Sequence, residues 1–126
     1  MLKKTITYVD YDGKERVEEH LFNINKAELM EMELTTEGGY NEMLRRISKE
    51  ENVPKLFTTF KELVLKSYGE KSPDGKYFLK EDENGRPLCK KFEQSGAYNK
   101  LLEEFVSNAN AASDFVKGIL PADVDK

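Results

Sequence analysis

The sequence predicts an α+β fold: an N-terminal β-hairpin packed on a mostly α-helical bundle of about five to six short helices. Three observations predict it. Residues 5–10 alternate Ile6, Tyr8 and Asp10 with Thr5, Thr7 and Val9, and Asp12-Gly13 joins them to a second β-compatible run over residues 16–23. Apolar residues recur at helical spacing over residues 53–68 and 97–109. Punctuation at Gly38-Gly39, Gly69, Asn84-Gly85 and Pro121 is close enough to keep every helix short.

Each element has a local cause. Two strands alone are marginal in water, so the hairpin needs the helices as a covering layer. Asn25 with Glu28 three residues later makes a capping-box start, and Ala27, Leu29, Met30 and Leu34 follow at helical spacing. Two adjacent glycines are costly inside a helix, so Gly38-Gly39 ends that helix and a surface helix opens at Tyr40. Asn52 is placed to cap the next helix and Pro54 sits in its first turn. Leu56, Phe57, Phe60, Leu63 and Val64 then make it the organiser of the core, with Phe60 at its centre. Gly69 is expected as its C-cap, followed by a Pro73-Asp74-Gly75 turn and a short extended run over residues 77–80. Pro87 opens a short helix to residue 94. Ser95 caps a helix carrying Tyr98, Leu101, Leu102, Phe105 and Val106, and Asn108 recaps a last one bearing Phe115, Val116, Ile119 and Leu120. Residues 1–121 are expected to form one domain, with residues 122–126 a frayed tail.

Charge and composition exclude several functions. Seven Phe and six Tyr among 126 residues make a folded chain rather than a disordered one. Twenty Lys and Arg against 24 Asp and Glu give a net charge of -4, without the basic footprint that nucleic-acid binding requires. No run approaches the roughly 20 apolar residues that span a bilayer. A strand-like, charged beginning and a single cysteine point to the cytoplasm.

Chemistry is sparse. His20 is the only histidine, Cys89 the only cysteine, and 69 positions separate them, which matches no zinc spacing and no Cys-His pairing. Neither Gly38-Gly39 nor Gly85 has the strand-loop-helix context of a phosphate loop. No catalytic, cofactor-binding or metal-binding residue is expected. What remains is a cluster of apolar and flexible positions, Met30, Met32, Leu34, Gly38, Gly39, Tyr40 and Met43, whose methionines offer adaptable contact area and whose glycines admit a close backbone. Core filling is the other reading of the same methionines, and the stripe from Tyr98 to Leu120 is the next candidate surface.

The segments MLKKTITYVDYDGKER, FNINKAELMEMELTTEGG, FKELVLKSYGEKSPDGKYF and AASDFVKGILP together resemble the tail assembly chaperones of long-tailed, siphovirus-type bacteriophages and prophages of Gram-positive bacteria. The likeness runs from Met1 to Pro121 and is most specific over residues 22–39 and 65–78. It implies a non-enzymatic protein of the infected host cell's cytoplasm that binds the tape measure protein, keeps it soluble until tail tube polymerisation, and is absent from the mature virion. The tail tube protein and a second copy of the chain are further candidate partners. The alternative is a minor structural component of the tail or head-tail connector, which would stay in the particle.

Overall fold

In the computed structural model, which describes residues 1–49 and 53–121, the chain is α+β. The order is β1 (Leu2–Val9), β2 (Glu15–Phe22), α1 (Lys26–Thr35), α2 (Tyr40–Lys49), α3 (Val53–Ser67), β3 (Tyr68–Lys71), β4 (Phe78–Leu79), α4 (Leu88–Glu93), α5 (Gly96–Ser107) and α6 (Ala109–Ile119). The expected cap Asn52 and the expected frayed tail at 122–126 lie outside the described residues.

The hairpin forms where the sequence places it. Gly13 takes φ 80°, and the Asp10 carboxylate accepts from the backbone N–H groups of Asp12 and Lys14 at 2.9 Å each and from Arg16 Nε at 2.7 Å. The Arg16 guanidinium, with those backbone donors, holds the Asp10 carboxyl below its ordinary value. Pairing runs in register from Leu2↔Phe22 to Val9↔Glu15. Directly opposed residues share a face, so Leu2, Ile6 and Tyr8 lie on the same face as Phe22, Glu18 and Arg16, with Ile6 and Phe22 buried and Arg16 exposed at the turn end.

The hairpin is half of a four-stranded antiparallel sheet ordered β1-β2-β3-β4. Gly69, expected to end α3 as a left-handed cap, is instead a buried strand residue paired with Leu21 and outside the positive-φ glycines. The end of α3 is satisfied by other means: Ser67 Oγ donates to the Val64 carbonyl at 2.9 Å, and the Asn23 N–H donates to the Ser67 carbonyl at 2.7 Å. Glycine is required at 69 for space, because a Cβ there would stand 2.5 Å from the Leu79 carbonyl oxygen and 2.5 Å from the Phe78 ring.

The core lies between the sheet and the helices from α3 onward. Phe22, fully buried, meets the rings of Phe115, Tyr68 and Phe92 at 5.1, 5.7 and 5.8 Å. Tyr68 and Phe92 stack at 4.2 Å. Phe60, expected at the centre, is half-buried on the margin, its ring edge-on to Phe105 at 4.8 Å. Ile24 links α1 to this core and donates its N–H to the Ile119 carbonyl at 2.8 Å. Lys80 adds a second tie: its ammonium donates to the carbonyls of Lys66 (2.6 Å) and Asn23 (2.8 Å) and to Glu28 Oε2 (3.0 Å). Burial lowers the Lys80 pKa, while the Glu28 carboxylate beside it works in the opposite direction.

Candidate functional site

Helix α1 starts on the predicted capping box. The Glu28 N–H donates to Asn25 Oδ1 at 2.7 Å and the Asn25 N–H returns a bond to Glu28 Oε1 at 3.0 Å. No residue of α1 is fully buried. Leu29 and Met32, three apart, pack against the core, while Met30 and Leu34, four apart, stand out at 63% and 81% exposure. Ala27, one turn before Met30, is exposed as well. A short apolar stripe is therefore left facing away from the core.

The turn after α1 uses both glycines at positive φ, 78° at Gly38 and 90° at Gly39. Nothing stands near Gly38, whereas a Cβ on Gly39 would run into Glu33 Oε1. The Glu33 carboxylate occupies that place and accepts the Asn41 N–H at 3.0 Å, which anchors the first turn of α2 to α1. Tyr40 packs half-buried on the core, and its hydroxyl pKa is pushed up to about 12 by that burial, with Glu62 adding to it. Met43 is half-buried. Of the seven positions singled out in the sequence, Met30, Leu34 and Gly38 lie open to solvent. Met32 and Tyr40 face inward, and Gly39 and Met43 lie between.

A second apolar surface lies outside those positions. A groove of about 410 Å³ runs between α3, α5 and α6, lined by Leu56, Phe57, Phe60, Leu102, Phe105, Val106 and Ala112. Phe57 is 43% and Val106 72% exposed. The sequence carries its signal as the width of the α3 stripe: Leu56 and Phe57 are adjacent, so their side chains diverge by about 100° and both fit the core only if a neighbour covers each side.

His20 lies in β2 with its ring 5.1 Å from that of Phe92 and 5.9 Å from that of Tyr68. Its Nε2 is 3.3 Å from Glu18 Oε1 but outside hydrogen-bond geometry. Burial lowers its pKa against the opposing pull of Glu18 and Glu70. Cys89 is half-buried and free. Among the described residues no group of three or more His, Cys, Asp or Glu side chains could hold a metal ion, and no helix is long and apolar enough to cross a membrane.

No curated protein and no solved structure matches the chain. A family model does, over its full length: residues 1–126 match the model described as phage tail assembly chaperone. A match of that extent places the chain: the protein belongs to the phage tail assembly chaperone family.

Proposed function

We propose that the protein binds the tape measure protein of its phage in the host cytoplasm, keeps it soluble until tube subunits polymerise around it, and leaves before the virion matures. The family supports a role in tail assembly. The observation that carries the finer reading is the outward stripe Ala27, Met30 and Leu34 on α1. A tape measure is a long, largely helical chain whose apolar stripes aggregate unless covered, and unbranched methionine beside leucine gives contact that adapts to a varied client. Helix laid against helix is the mode such a stripe fits.

The test is co-expression with the tape measure protein. Met30→Asp with Leu34→Asp changes two exposed positions, so the variant should melt with the parent while its client falls into the insoluble fraction. A folded double variant that still keeps the client soluble and co-purifies with it would remove α1 from the binding surface. Mass spectrometry of purified virions checks the second half of the reading, since a chaperone that leaves gives no peptides there and a tail or connector component gives them in stoichiometric amount.

A further inference from the structure

Strand β2 has an open edge inside the sheet. It pairs with β1 through all eight residues, yet with β3 only at Leu21↔Gly69 and Phe22↔Tyr68. Beyond Gly69 the third strand changes partner and pairs with β4 at Glu70↔Leu79 and Lys71↔Phe78. The Asn23 N–H donates toward this side, to the Ser67 carbonyl. Backbone groups alternate sides along an antiparallel strand, so those of Val17 and Glu19 point the same way as those of Leu21 and Asn23. No backbone partner meets Val17 or Glu19 there among the described residues.

The edge opens on a cleft of about 610 Å³ lined by residues 18–21 of β2 and 68–71 of β3. Its formal charge is negative, with Glu18, Glu19 and Glu70 against Lys71. Extending the register puts Glu70 on the same face as Glu18 and His20, and Glu19 on the other face. An inserted strand with a cation on each side of its pleat therefore meets a carboxylate on either face. The outer edge of β1 is different: Lys3 and Lys4 guard it, Lys4 is tied to Glu104 at 2.9 Å, and α5 and α6 pack against that strand.

We propose that this cleft takes an extended, lysine- or arginine-bearing protein segment by strand addition along residues 17–19 of β2. Main-chain bonds supply the attachment, and the carboxylates select the charge of the incoming strand. This site goes beyond the α1 surface and uses a different recognition mode, so either stands if the other fails.

The full-length, isotopically labelled chain should be titrated with a capped alternating Lys-Thr heptapeptide, and separately with its Glu-Thr counterpart. Expected are saturable amide shifts at Val17, Glu19, Glu70 and Lys71 with the lysine peptide only, weakened severalfold by 0.5 M salt. Glu18→Gln with Glu70→Gln should weaken binding about tenfold, with the glutamine oxygen at 18 keeping the Tyr8 hydroxyl bond that Glu18 accepts at 2.8 Å. Val17→Pro removes an N–H on the open side of β2 and none from the β1 ladder, so it should abolish binding in a folded chain. Equal binding of the glutamate peptide, no shift at millimolar lysine peptide, or shifts confined to other elements would overturn the proposal. So would concentration-dependent self-association lost in the Glu18→Gln, Glu70→Gln variant, which would make a second copy the occupant.

Discussion

Lys80 joins the end of α3 to the junction of β2 and α1, and replacing it with methionine keeps the stem while deleting the ammonium. In the parent its three N–H groups are all used, on the Lys66 carbonyl at the end of α3, the Asn23 carbonyl after β2, and the Glu28 carboxylate of the α1 capping box. Hydrogen bonds to a charged group contribute about 1.5–3 kcal/mol each, so three set a ceiling of roughly 5–9 kcal/mol. Two effects reduce it. Burying the ammonium has its own cost, visible in the lowered Lys80 pKa, and the side chain remains 26% exposed, which lets water reach the stranded carbonyls. About 2–3 kcal/mol should remain. With an unfolding entropy of roughly 2.1 cal/mol/K per residue, that loss lowers Tm by about 8–11 °C. Thermal melts followed by far-UV circular dichroism, with urea midpoints as a check, measure it. Glu28→Gln and the double variant complete a cycle in which the two changes should couple by about 1 kcal/mol. A Lys80→Met chain melting within about 2 °C of the parent would show that the tie holds nothing together.

Three further outcomes follow from the same packing. Gly69→Ala drives a methyl group into the Leu79 carbonyl and the Phe78 ring, so it should destabilise by about 2 kcal/mol or more and broaden the amide signals of β3 and β4; a neutral effect would put β4 elsewhere. His20 has a folded pKa below its ordinary 6.5, so below that pH the unfolded chain binds the extra proton and stability falls as pH drops toward the folded value. Glu18 and Glu70 limit the loss, and the stability advantage of the parent over His20→Gln should shrink between pH 7 and pH 5 in urea melts; an advantage that grows on acidification would mean the ring is held charged. Deleting residues 1–23 removes Ile6 and Phe22 from the core and should abolish cooperative unfolding, whereas a sharp melt near the parent's temperature would show that the helices stand alone.

Much of the fold is legible in the sequence because local chemistry and tertiary packing agree. Asp12-Gly13 between alternating runs marks the hairpin, and the caps at Asn25, Ser95 and Asn108 each make the side-chain bonds their residue types promise. The failure at Gly69 has a clear cause. A glycine after a helix is ordinarily a left-handed cap, and here the same residue serves a different need, the close approach of β4. Strand β4 lies in the extended run expected over residues 77–80, but β3, four residues directly after a helix, is too short to show a period of two, so only its pairing with β2 and β4 reveals it. Phe60 lies off the expected centre for a related reason: periodicity shows which face of α3 is apolar but not how far its neighbours extend over that face.

The candidate surface on α1 is half legible. At about 100° per residue, Leu29 and Met32 fall within roughly 60° of each other, and Met30 and Leu34 within roughly 40°, on a different side of the helix. A helix with two apolar edges in a chain of this size has one more than its own core uses, which is why the cluster stands out from the amino-acid pattern alone. That pattern does not say which edge turns inward, because both carry residues of the same kind; Ile24 and the Lys80 tie fix the rotation from outside the helix. Met32 therefore packs on the core while Met30 stands exposed, and a charge introduced at 32 would confuse a loss of folding with a loss of binding. The open edge of β2 is not legible at all. Its distinguishing groups are backbone amides and carbonyls, which every residue but proline carries alike, and their availability depends on a neighbouring strand turning away at Gly69.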